Sequence, residues 1–226
     1  MIDVYAHRGL HLVERENTTA AFLAAKALGV NGVELDVRRT LDEHLVVHHD
    51  PTVEGMVIAT SRRAELAETV EDLSTVMQAC RGVRVNVEIK NINDPTEPTY
   101  DASGDFARQV LKFLHDSKWT DAVIVSCFDE ATCALVRTLN PDIAVGWLLW
   151  DVEILSALTQ AYVLGLTAVH PHFSLVTPAV MEKARELGVD VNVWTVNNAS
   201  DITAMAELGV SSIITDDPAL ALSLVR

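Results

Sequence analysis

Positive charge is scarce in this chain. Its 226 residues carry 17 Lys and Arg against 32 Asp and Glu, a formal net charge of −15. Such a surface argues against nucleic acid or an anionic membrane as the main partner, because both require a basic face. An anionic small molecule stays acceptable if a local cation meets it. Cysteine is scarce too: Cys80, Cys127 and Cys133 are odd in number and lack CxxC spacing, which argues against a disulfide framework or a cysteine zinc site and reads them as small buried residues. No run of about 18 apolar residues occurs, and the opening MIDVYAHRG has no charged segment ahead of an apolar one. The sequence therefore predicts no membrane span or secretion signal, and the expectation is a soluble cytoplasmic protein. Monomer and homo-oligomer are both compatible with it.

What the chain has in quantity is apolar side chains, 49% of all residues, enough for one large core in a single domain. They alternate between short β-branched runs and longer runs of helical period. The strand candidates are DVYAH, GVELDV, RVNVEIK, AVIVSCF, AVGWLLW, TAVHP, DVNVWTV and SSIIT. Helical periods fall over 18–28, 70–81, 105–117, 130–139, 152–164, 178–187, 200–208 and 218–225. Gly29, Gly165, Gly188 and Gly209 follow helical runs, where left-handed caps are expected, and Thr177-Pro178 starts one. Eight βα units predict an α/β fold, a single (β/α)8 TIM barrel over residues 1–226, with the active site at the C-terminal ends of the strands. The run HLVV is extra to the eight, and the polar stretch INDPTEPTYDAS (92–103) reads as a loop.

Polar residues collect where such a barrel does chemistry. Strand alternation puts Glu34 and Asp36 on one face of VELDV, opposite Val33, Leu35 and Val37. In VNVEIK it puts Asn86, Glu88 and Lys90 on the face opposite Val85, Val87 and Ile89. Three carboxylates converging on a partly desolvated lumen repel one another unless a cation sits among them, and oxygen-only ligands favour Mg2+ or Ca2+. His7 and Arg8 end the first strand, and HLVV ends in His48, His49 and Asp50. Alternation sends the two histidines to opposite faces, so only one can reach the lumen. Asp50 either orients that imidazole or begins the Asp-Pro turn.

AHRG, then ENTTAAFLAAKALGVNGVELDVRRTLDEHLVVHHD, VNVEIK, VNVWTVN and IITDDP together resemble the glycerophosphodiester phosphodiesterases, in order and over nearly the whole chain. The resemblance implies a barrel that hydrolyses glycerophosphodiesters, small-molecule substrates, to sn-glycerol 3-phosphate and an alcohol with a divalent metal. Carried over by position, it makes His7 and His49 the acid/base pair, and Glu34, Asp36 and Glu88 the metal ligands. Arg8 and Lys90 become phosphate-binding residues, and Trp194 packs against the alcohol. Phe128 and His170, at the ends of their strands, are further candidates for the mouth. Glu16 of ENT orients Arg8 or caps the following helix. Attack by water and attack by the neighbouring glycerol hydroxyl are both compatible with this set.

Many relatives follow HD with a longer covering insertion, whereas PTVEGMVIATSRRAEL is expected to reach the next helix quickly, which leaves the alcohol unspecified. A lysophospholipase D acting through the same barrel is the nearest alternative, with Trp147, Leu149 and Trp150 either forming an apolar mouth or packing the core. A noncatalytic phosphate-binding barrel is the alternative outside enzymology, and it would be expected to lack one of the histidines or carboxylates.

Overall fold

Valine and isoleucine at alternate positions commit the strands to a pleated surface covered by helices. In the computed structural model, which describes residues 2–94, 99–119 and 122–225, the eight candidates become β1 (Asp3–Ala6), β2 (Gly32–Arg39), β3 (Arg84–Ile89), β4 (Val123–Cys127), β5 (Ala144–Leu149), β6 (Ala168–Pro171), β7 (Asp190–Val193) and β8 (Ser212–Thr215). Each is parallel to the next, and β8 pairs with β1 through Ala6 and Thr215, so the sheet closes into a barrel. Val33, Leu35, Val37, Val85, Val87 and Ile89 are fully buried against the helices, each contributing about 1.5–3 kcal/mol relative to exposure. All three cysteines are free and buried.

The helices are α1 (Thr19–Leu28), α2 (Leu73–Ala79), α3 (Asp105–Asp116), α4 (Glu130–Leu139), α5 (Ile154–Val163), α6 (Pro178–Leu187), α7 (Ala199–Leu208) and α8 (Pro218–Val225). Thr18, Asp129, Thr177 and Asn198 cap their helices by accepting from backbone N–H groups. The four expected cap glycines all have positive φ, from 67° to 85°. Of the loop expected over 92–103, residues 95–98 lie outside those described.

The connection after β2 differs from expectation. Leu45–Val47 pairs antiparallel with β2, and Glu71–Asp72 pairs antiparallel with Leu45–Val47 in turn. Between them lie the hairpin Thr52–Val53/Met56–Val57 and two 3-10 turns. Val46, Val53, Ile58, Leu66 and Val70 form a small core of their own. This draws Val70 out of the helix predicted to begin there, so α2 starts at Leu73 behind a strand. The short segment is thus an ordered unit beside β2 rather than a quick passage to the next helix.

Candidate active site

At the C-terminal end of β1 the chain turns on two consecutive left-handed residues, Arg8 at φ 55° and Gly9 at φ 84°. A Cβ on Gly9 would meet the Ala21 backbone at 2.8 Å, so this turn needs glycine. Arg8 carries the usual cost of that conformation, about 1–3 kcal/mol. In return its N–H donates to Glu34 Oε2 at 3.0 Å, and its side chain reaches Glu16 through Nη1 at 3.2 Å and Asp36 through Nε at 3.4 Å.

Parallel pairing of β2 with β3 sets Asp36 beside Glu88 and Glu34 beside Asn86. Oxygens of Glu34, Asp36 and Glu88 lie within 4.8 Å of one another, and all three residues are buried. Their environments diverge. Burial, together with the Asp36 and Glu88 charges, pushes the Glu34 carboxyl well above its ordinary pKa. Burial acts the same way on Asp36, but Lys90, His49, Arg8 and a hydrogen bond from Asn17 outweigh it and hold Asp36 well below the usual range. Lys90 Nζ donates to Glu88 Oε1 at 2.8 Å and lies 3.4 Å from Asp36. Burial lowers the Lys90 pKa, yet the two carboxylates more than reverse this and stabilise its ammonium.

Counting Lys90 and Arg8, three carboxylates face two cations, and Glu34 Oε1 is buried with no hydrogen-bond partner. An orphaned carboxylate oxygen in a net-negative, all-oxygen cluster fits a hard divalent cation.

Two imidazoles flank the cluster. His7 Nδ1 donates to Asp216 Oδ1 at 2.6 Å, while Nε2 lies 3.9 Å from Glu34. His49 Nδ1 donates to Asp50 Oδ1 at 2.8 Å, the orienting option of the two open for Asp50. His7, Arg8, Glu34, His49, Glu88, Lys90, Phe128 and Trp194 line one cleft together with Asn86 and Thr195. Asp36 lies beneath, 1% exposed. His48 is not among the lining residues.

Phe128 meets the Trp194 ring edge to face at 5.5 Å. Trp194 extends outward to Trp150, 5.6 Å away and 56% exposed, whereas Leu149 belongs to the main core.

His170 is placed differently from expectation. Its ring is 1% exposed and does not line the cleft. It is packed against Gly146, and its Nε2 accepts from Asn192 Nδ2 at 2.9 Å. Burial lowers its pKa to about 3, so it is a neutral interior residue. It touches the site through its backbone carbonyl, which accepts from Trp194 Nε1 at 2.6 Å.

Four residues join the site without having been singled out for it. Asn17, also left-handed at φ 57°, donates to Asp36 Oδ2 at 2.8 Å. Asp216 and Asn197 come from the TDDP and WTVN segments, and His11 from the loop after β1.

The glycerophosphoryl diester phosphodiesterase family matches the chain over residues 7–220. The chain belongs to that family. The enzyme is thus a phosphodiesterase by membership, and its relatives agree. It is 29% identical over 244 residues to a glycerophosphodiester phosphodiesterase of Caldanaerobacter subterraneus subsp. tengcongensis, covering 99% of this chain and 97% of the other. A crystal structure of a glycerophosphodiester phosphodiesterase from Parabacteroides distasonis is similar at TM-score 0.88 and 25% identity, covering 99% and 96% of the two chains. The fold also matches an Oleispira antarctica phosphodiesterase solved with the product sn-glycerol-3-phosphate, at TM-score 0.85 and 20% identity, covering 99% and 96%. Among the described residues of the phosphodiesterase, no helix is long and apolar enough to cross a membrane.

Proposed function

We propose that the enzyme hydrolyses glycerophosphodiesters to sn-glycerol 3-phosphate and an alcohol, using His7 and His49 as the acid/base pair and a divalent cation, Mg2+ or Ca2+, held by Glu34, Asp36 and Glu88. The observation carrying this is the orphaned Glu34 Oε1 in a buried carboxylate cluster flanked, in one cleft, by two histidines each bonded to a carboxylate through Nδ1. A cation held there would neutralise charge on the nonbridging phosphate oxygens. With Nδ1 engaged, each imidazole offers Nε2, one to take the proton of the attacking water or glycerol hydroxyl and the other to protonate the leaving alkoxide. Arg8 and Lys90 supply fixed positive charge at the cleft, and Phe128 and Trp194 supply an apolar wall for the alcohol. A cytoplasmic setting belongs to the same reading and is supported by three buried, unpaired cysteines.

The exposed Trp150 beside Trp194 favours a second reading, a lysophospholipase D whose substrate lays its acyl chain over this rim. Steady-state assay of glycerophosphodiesters and lysophospholipids, after chelation and with each ion restored, tests both. Glycerophosphodiester turnover restored by Mg2+ or Ca2+ is expected. Full turnover after exhaustive chelation rejects the metal, and preference for the acylated substrates selects the second reading.

A further inference from the structure

The carboxylate behind His7 comes from the far end of the chain. Asp216 follows Thr215, the last residue of β8, and the His7 N–H donates to the Thr215 carbonyl at 2.9 Å, so barrel closure itself sets the two side by side. Both carboxylate oxygens of Asp216 are engaged. Oδ1 accepts from His7 Nδ1 at 2.6 Å and from His11 Nε2 at 2.8 Å, while Oδ2 accepts from Asn197 Nδ2 at 2.6 Å. The Asn197 amide cannot turn round at low cost, because its Oδ1 accepts from Thr215 Oγ1 at 3.2 Å and from the Asp216 N–H at 2.9 Å.

An ionised carboxylate only accepts hydrogen bonds, so this bond requires the proton of neutral His7 to sit on Nδ1 and leaves the Nε2 lone pair on the side of the cleft. We propose that Asp216 is the positioning residue for His7, fixing its tautomer and ring orientation, with Asn197 and His11 holding the carboxylate in place. This rests on the reading of His7 as an acid/base residue. Burial raises the Asp216 pKa, but the hydrogen bonds from His7, His11 and Asn197 outweigh it, and the group stays ionised well below the usual carboxylate range.

Asp216→Asn is the informative substitution because neither amide orientation satisfies the site. With its NH2 toward Asn197, two amide donors face each other; with its NH2 toward His7, a donor meets the Nδ1–H and drives the ring to the other tautomer. The test uses the full chain with sn-glycero-3-phosphoethanolamine as substrate, comparing wild type, Asp216→Asn, His7→Gln and the double variant. Circular dichroism checks the fold, and 15N NMR of the imidazoles reads the His7 tautomer. We expect Asp216→Asn to lower kcat about 10²-fold or more with KM within about threefold, and to shift the His7 resonances away from the Nδ1–H form. The double variant should be no slower than His7→Gln alone, since Asp216 acts through that ring. If Asp216→Asn misfolds, Asp216→Ala replaces it, with the Nδ1–H form no longer enforced and a comparable loss of kcat expected, and a near wild-type kcat there overturns the inference. A dead His7→Gln beside an Asp216→Asn of near wild-type kcat and unchanged tautomer overturns the inference and spares the reading of His7. Wild-type rates for His7→Gln overturn both.

Discussion

Glu34→Gln replaces one of three carboxylates whose oxygens lie within 4.8 Å of one another. At that separation and an effective dielectric constant of about 20, each like-charged pair repels by about 3.5 kcal/mol. Lys90, 2.8 Å from Glu88 and 3.4 Å from Asp36, offsets part of this. The glutamine can keep an acceptor for the Arg8 N–H, 3.0 Å from Glu34 in the native protein, and its new amide can donate where Glu34 Oε1 has no partner. The metal-free variant should therefore melt at or above the metal-free wild type. With the cation present the order reverses. At about a hundredfold its Kd, a bound ion stabilises the wild type by about 2.7 kcal/mol, which for a chain of this size corresponds to a rise in Tm of about 5–10 °C. Having lost a charged ligand, the variant should shift by less than about 2 °C under the same conditions. Differential scanning fluorimetry in chelator, followed by titration with Mg2+ and Ca2+, reads both quantities. A wild-type Tm indifferent to both ions, or a variant that shifts as far as wild type, refutes the cation site.

Three further outcomes follow from the geometry. His49→Ala should lower kcat about 10²-fold or more, while His48→Ala, outside the cleft, changes it less than about tenfold; steady-state kinetics of the two variants decides, and the opposite ranking reverses the assignment. Interior His170 has a folded pKa of about 3 against 6.5 ordinarily, so the unfolded chain binds a proton that the folded one refuses. Its contribution is complete above pH about 6.5 and is lost as pH falls toward about 3, by up to about 1.4 kcal/mol per pH unit; urea unfolding at pH 7 and pH 5 should show a smaller loss for His170→Gln than for wild type. A Cβ on Gly146 would sit 2.2 Å from His170 Nε2, so Gly146→Ala should destabilise by about 1–3 kcal/mol, read by calorimetry as a lower Tm.

The barrel was legible because its determinants are local. The βα units declare themselves by a strand run and a helical period, most of them with a helix cap as well, and α4, α6 and α8 begin and end at the expected residues. The carboxylates were legible for the same reason, since the period of a strand fixes which side chains share a face. Less legible were features decided by partners distant in sequence. Val70 fits a helical period, but its burial with Val46 and Ile58 belongs to the satellite core. His170 sits at a strand end as a mouth residue would, yet the absence of a side chain at Gly146 gives its ring an interior slot. Asp216 is 209 residues from His7, and no spacing rule reaches across that interval; the signal available was an acidic residue directly after the last strand, where barrel chemistry is done.

Closure of the barrel between β8 and β1 also has a consequence for the order of synthesis. His7, directly after β1, leaves the ribosome 209 residues before Asp216, and Thr215 and Asp216 are the residues that hold its backbone and its ring. Until they emerge, β1 has only its short pairing with β2. Its other edge stays open, and such an edge is a template for intermolecular pairing. The nascent chain therefore carries its acidic cluster on β2 and β3 well before Asp216 can meet His7, and the cleft is complete only with the final turn of the ring.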